Sequence, residues 1–282
     1  MKNIDRRTVL SGLGALCLGG TTSLTVASRA AADTFHGATA GAAAEAAPAV
    51  PVSPVPRLTQ PRDFVTLAEV RTNRAAIALT FDDGPHPVHT PILLDILARY
   101  NAKATFYVVG QMARRSPDIL RRIVAEGHEL GNHSWTHPML SQMGNATFMR
   151  EIDRTQEVIW RAVGAVPVTM RPPYGAITGR QSNMLDSQRN IPTIMWSVDT
   201  QDYRRPGPSV VAARMVNGAR PGAVILAHDI HGPTVRAVPA ALEGIAARGL
   251  EAVTMSELLG WNRWGPRGQR VVRSNPAIDW QG

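Results

Sequence analysis

The sequence predicts an α/β fold of about seven parallel strands with covering helices, and three observations carry that expectation. Short apolar runs alternate with helical patterns from about Ala68 to Trp261. The runs have the length of strands buried on both faces. Residues with chemical potential stand where the runs stop, as in sheets whose carboxyl ends carry the site. About seven strands over roughly 190 residues suit a barrel with fewer or distorted units, or an open doubly wound sheet.

In chain order, strands are expected at 75–81, 104–109, 168–170, 191–198, 223–227 and 251–255, with 128–133 as a further short one. Segment 91–100 reads as a helix from its apolar Ile92, Leu93, Ile96 and Leu97. Segment 117–126 has Ser116 as N-cap and ends at Gly127. A long amphipathic helix is expected over 147–163, then helices over 209–217 and 235–248, the last ending at Gly249.

The two ends read differently. Residues 1–32 have the form of an export signal: Lys2, Arg6 and Arg7 in front, an uncharged stretch over 8–28, and Ala30-Ala31-Ala32 as a cleavage site. Eleven of the 21 residues in that stretch are Gly, Ser or Thr, too weakly apolar for a membrane span. Asp5-Arg6-Arg7-Thr8-Val9-Leu10 resembles a twin-arginine signal, which makes the twin-arginine machinery an expected partner. An ordinary secretory signal is the alternative. Cys17 follows Leu16, not the small residue that a lipid-anchor signal wants, so no permanent membrane anchor is expected. Residues 33–67 read as an Ala/Pro-rich linker, with eight Ala and four Pro among residues 33–56. Residues 68–261 form the expected domain, and 262–282 an irregular tail.

Composition removes whole classes of function. Cys17 is the single cysteine, so the domain has no disulfide, Cys-ligated zinc or Cys nucleophile. The net charge is +8, yet Lys and Arg cluster only in pairs such as Arg114-Arg115 and Arg204-Arg205, so no nucleic-acid partner is expected.

Five clusters carry the chemistry. Asp82-Asp83-Gly84-Pro85 ends an apolar strand with adjacent carboxylates, which repel unless a cation shares the site; alone, the segment also fits a plain turn. His133 and His137 have the i, i+4 spacing of many zinc sites, and equally fit two surface or capped histidines. Two His and one Asp would leave open positions for water and substrate, as in a catalytic rather than a structural metal site. Arg171-Pro172-Pro173-Tyr174-Gly175, Trp196 to Tyr203, and Ile225 to Asp229 each follow or end a strand. His231 is given no role.

In order and spacing these segments resemble the NodB-homology polysaccharide deacetylases, a metal-dependent carbohydrate esterase family. The likeness covers roughly residues 68–260, and the Thr-Phe-Asp-Asp-Gly-Pro and His-x-x-x-His-Pro pair is highly specific. The resemblance implies a distorted (β/α) barrel that removes acetyl groups from polymeric sugars, most often the N-acetyl of N-acetylglucosamine in chitooligosaccharide or peptidoglycan. It assigns Asp83, His133 and His137 as ligands of a divalent metal, Zn²⁺ foremost, with Co²⁺ or another divalent ion as alternative. Asp82 matches the general base and Arg171 the residue that orients it. Tyr174 lends its backbone N–H to the oxyanion. His228 matches the general acid, Asp202 its charge partner, and Leu226 the wall that receives the acetyl methyl. Tyr203 stands where the family usually has Trp. An O-acetyl esterase of the xylan type and an inactive glycan-binding protein remain as alternatives. A two-carboxylate glycosidase is disfavoured, because adjacent Asp82 and Asp83 cannot flank a glycosidic bond. Export would place the protein in the periplasm or outside the cell.

Overall fold

The computed structural model describes residues 66–261 and Arg263. The expected signal, most of the linker and nearly all of the tail lie outside them. The linker's last two residues, Thr66–Leu67, form a short strand, β1.

The sheet is built around β2, Ala76–Asp82, in which every residue is buried. β3 (Thr105–Val108) and β4 (Glu129–Asn132) extend it on one side. β5 (Thr193–Ile194) and β6 (Val198–Asp199) follow, then β7 (Val224–His228), which lies against β2, and β8 (Glu251–Val253), which pairs with the start of β2. The main order is β4-β3-β2-β7-β6, and every strand pairing is parallel. Parallel bridges run from Asn132 to Met170 and from Met170 to Thr193. The chain from Thr193 to Asp199 then reaches β7 through β6, so the hydrogen-bonded path returns on itself. The fold is a distorted (β/α) barrel, and the open-sheet alternative is excluded.

Alternation along β2 separates two environments. Ile77, Leu79 and Phe81 join the core beneath the helices, while Ala76 and Ala78 join the barrel interior with Tyr107 and Val224. That interior is tight: a Cβ on Gly131 would meet the Tyr107 ring at 2.2 Å. Thr80 and Asp82 continue the inward row toward the carboxyl end.

Helices cover the strands: α1 (His89–Arg99), α2 (Gly110–Arg115), α3 (Pro117–Ala125), α4 (Asn145–Val163), α5 (Gly179–Arg189), α6 (Pro208–Gly218), α7 (Gly232–Ala247) and α8 (Met255–Leu259). In α1 the buried face holds Leu93, Leu94, Ile96 and Leu97, and Ile92 points outward, 46% exposed. α2, α5 and α8 are additions to the expected set. α5 has few buried apolar residues and is started by a capping box between Thr178 and Gln181.

Two expected strands change form. Segment 168–170 keeps only the bridge at Met170. Segment 191–198 splits into β5 and β6, because the carbonyls of Ile194 and Met195 accept from Arg171 Nε at 3.2 Å and Nη2 at 2.9 Å. A buried guanidinium takes the place of a ladder partner there.

Candidate active site

The five clusters meet on one face, at the carboxyl ends of the strands. Strand pairing sets Asp82 opposite His228. Asp83 follows β2 with φ 76°, a left-handed backbone that turns it away from Asp82. Ser134, His137 and Tyr174 share that unusual backbone at φ 63°, 61° and 59°. Non-glycine residues persist in such conformations only where the surroundings impose them.

For the His133–His137 loop those surroundings are visible. Glu151 on α4 accepts from the backbone N–H groups of Trp135 and Thr136, at 3.0 and 2.8 Å. Asn132 Oδ1 accepts from Ser134 N–H, and Ser134 Oγ from His137 N–H. The Trp135 ring lies near the guanidinium groups of Arg114 and Arg154, at 5.4 and 4.2 Å. The segment is thus a pinned turn rather than a helix, and it brings both imidazoles to one side.

His133 Nε2 and His137 Nε2 stand 3.4 and 3.1 Å from Asp83 Oδ1. One ligand atom from each of the three residues lies within 4.8 Å of the others. His133 Nδ1–H donates to the Arg171 carbonyl at 2.7 Å, which leaves a lone pair on Nε2. Asp83 Oδ1 is buried and accepts no hydrogen bond. Lone pairs facing lone pairs in a partly buried site fit a divalent cation. Burial works against the Asp83 carboxylate, and the lowering of its pKa needs positive charge on the His133 and His137 side, which protonated imidazoles or a bound cation would supply.

Asp82 is buried and its Oδ1 accepts from Arg171 Nη1 at 2.9 Å. Arg171 has no exposed surface; Nη1 also donates to Thr80 Oγ1 at 2.7 Å, and its guanidinium lies 4.3 Å from the centre of the Tyr107 ring. Asp82 Oδ2 is left toward the histidines, 3.7 Å from His133 Nε2.

On the other side, His228 Nδ1 donates to Asp202 Oδ1 at 2.7 Å. Asp202 Oδ2 accepts from His228 N–H at 2.8 Å and from Thr234 Oγ1 at 2.7 Å. Burial opposes the imidazolium, but the Asp202 pairing prevails and His228 is raised to about 9. Burial likewise opposes the Asp202 carboxylate, and His228 lowers its pKa.

Tyr174 is 67% exposed, with its ring edge-on to His137 at 4.7 Å. Hydrogen bonds in its turn run from Gly175 and Ala176 N–H to the Pro172 and Pro173 carbonyls. Leu226 is buried on β7, and Tyr203 sits edge-on to His228 at 6.2 Å. Sequence reading gave no role to Thr80 and missed Glu151 and Thr234, because the groups these residues hold are distant in sequence. It also passed over Asp229, whose carboxyl packs against Gly84, receives Thr90 Oγ1 and is pushed by burial to about 7.

Comparison with known proteins gives the same picture. The polysaccharide deacetylase family model matches residues 69–190. Peptidoglycan-N-acetylglucosamine deacetylase PgdA of Listeria monocytogenes is 40% identical over 192 residues, covering 68% of this chain and 40% of that protein. The chain therefore spans well under half of that relative's length. Chitooligosaccharide deacetylase of a Bradyrhizobium strain is 35% identical over 217 residues, covering 70% of this chain and 99% of that protein. The crystal structure of the Bc1960 peptidoglycan N-acetylglucosamine deacetylase superposes with a TM-score of 0.69 at 32% identity, covering 72% of this chain and 96% of that one. On its fold, its matched motifs and these relatives, the chain belongs to the polysaccharide deacetylase family.

Proposed function

We propose that the protein hydrolyses the N-acetyl groups of a polymeric aminosugar, with N-acetylglucosamine units of chitooligosaccharide or peptidoglycan as substrate. The observation that carries this is the convergence of Asp83, His133 and His137 between the Asp82–Arg171 and His228–Asp202 pairs. These three residues would hold a divalent cation, Zn²⁺ foremost. Bound there, the cation supplies Lewis acidity and brings the pKa of water from ~15.7 toward ~7.

The chain's own groups divide the remaining work. Asp82 Oδ2 takes a proton from the attacking water while Arg171 fixes Oδ1. The Tyr174 N–H donates to the developing oxyanion, and the acetyl methyl rests on Leu226. His228 donates its proton from Nε2 to the leaving amine, and Asp202 holds Nδ1. Burial opposes the His228 imidazolium, but the Asp202 pairing raises its pKa to about 9, so the acid keeps its proton for the leaving amine. One water is consumed, and acetate and a free amine leave.

The test is acetate release from chitooligosaccharides, peptidoglycan and acetylxylan, with added Zn²⁺, Co²⁺ or chelator. Release from the first two, abolished by chelator and restored by metal, supports the reading. Release from acetylxylan alone replaces it with an O-acetyl esterase, and bound metal without turnover on any glycan favours a binding protein.

We also propose that residues 1–32 direct export by the twin-arginine route to the periplasm or beyond. The basis is Arg6-Arg7 and the weakly apolar stretch that follows. No helix among the described residues is long and apolar enough to cross a membrane. Unchanged export after Arg6→Lys with Arg7→Lys removes this route.

A further inference from the structure

Several surface arginines away from the site are ion-paired: Arg74 with Glu251 and Glu257, Arg121 with Asp118, Arg122 with Asp95 and Glu126, Arg220 with Glu69. On the loop between β6 and α6, Arg204 and Arg205 are exposed and form no ion pair among the described residues.

That loop borders the reaction site. Asp202 holds His228, Tyr203 lies edge-on to His228, and the Arg204 guanidinium stands 5.7 Å from the centre of the Tyr203 ring. Arg205 donates its backbone N–H to the Asp202 carbonyl at 2.8 Å, and its charge reaches His231, whose ring is 6.0 Å from that of His228. Among the described residues no carboxylate forms an ion pair with either side chain: Asp202 is committed to His228, and Asp199 accepts from Gln201 N–H at 2.8 Å and acts on Arg204 only at longer range. α6 then begins at Pro208 without a side-chain cap, so the positive end of its dipole adds to the same field.

We propose that Arg204 and Arg205 bind a carboxylate carried by the glycan beside the reacting aminosugar, so that the preferred substrate is an anionic aminosugar polymer. This deepens the deacetylase reading and rests on it for the place of the glycan. Guanidinium groups suit the task because their planar fork matches a carboxylate. An acetylated glycan without charge offers them oxygen acceptors but no charge to match.

Binding decides the question without turnover. Calorimetry compares a carboxylate-bearing aminosugar oligomer with the same oligomer amidated, on the full chain and on the Arg204→Gln/Arg205→Gln variant. The intact protein is expected to bind the acid form about tenfold more tightly at ~0.05 M salt, and the ratio to shrink toward one at ~1 M, where the Debye length falls to about 3 Å. The Gln variant brings the ratio near one at low salt, and Arg204→Glu/Arg205→Glu inverts it. Oligomers with the acid on the sugar alone, or on an attached peptide alone, show which carboxylate is held. A ratio near one in the intact protein, or one that the variants leave unchanged, overturns the proposal. Acetate release on the same samples is read separately, so its absence counts against the deacetylase reading while the binding ratio still decides this one.

Discussion

Two carboxylates, Glu129 fully buried and Asp83 half-buried, occupy opposite ends of one barrel, and they are treated differently. Glu129, at the amino end of β4, has no exposed surface. It accepts from Ser256 N–H and Oγ, both at 2.8 Å, from Thr105 Oγ1 at 3.1 Å and from Thr169 Oγ1 at 3.5 Å. Burial raises its pKa, and the Ser256 and Thr105 donors work against that rise. Asp83, at the carboxyl end of β2, has a buried oxygen with no donor, faced by two imidazole nitrogens. A carboxylate supplied with donors holds a fold together. One supplied with further acceptors is unfinished until a cation arrives.

The largest expected effect sharpens this contrast. Asp83→Ala should lose bound metal and lower acetate release on the order of 10³-fold or more, since weakening even the second shell of such sites costs about 10- to 100-fold. In metal-free solution the same variant should be at least as stable as its parent, read by urea denaturation. Next, Glu129→Ala should lower stability by about 2–3 kcal/mol, because each buried donor left unmade costs ~1–3 kcal/mol, while metal content stays intact. If metal-free Asp83→Ala is destabilised as much as Glu129→Ala, the contrast breaks. The smallest effect concerns a paired group. In the proposed mechanism protonated His228 is the acid, so activity should fall as pH rises through its pKa of about 9. Removing the charge in Asp202→Asn should move that alkaline limb down toward the ordinary 6.5. The sign for stability is the same: the His228–Asp202 contribution is complete below 6.5 and is lost as pH rises through about 9.

How much of this was legible depended on whether the cause lay close in sequence. β2 could be read because its apolar run and its Gly-Pro stop are contiguous, and the end of β7 at His228 could be read from its own apolar run. The roles of Asp82, Asp83 and His228 came from family resemblance, since spacing alone fits a turn or a capped histidine. The break between β5 and β6 could not be read, because it is made by Arg171, 23 residues from Ile194. α5 carries little apolar periodicity, and its start is set by a side-chain cap. Glu151 looked like one more polar residue of an amphipathic helix; only the folded chain shows it holding the metal-side loop from 15 and 16 residues away.

The pairing of Asp82 with His228 across β2 and β7 has an evolutionary side. The proposed proton acceptor and proton donor ride on adjoining rails of one ladder, so their separation is locked by backbone geometry. Surrounding loops can therefore be rewritten to grip a different polymer without retuning the chemistry. A slip of a single rung would swing one partner out of the lumen, which makes that register the least negotiable dimension of the molecule.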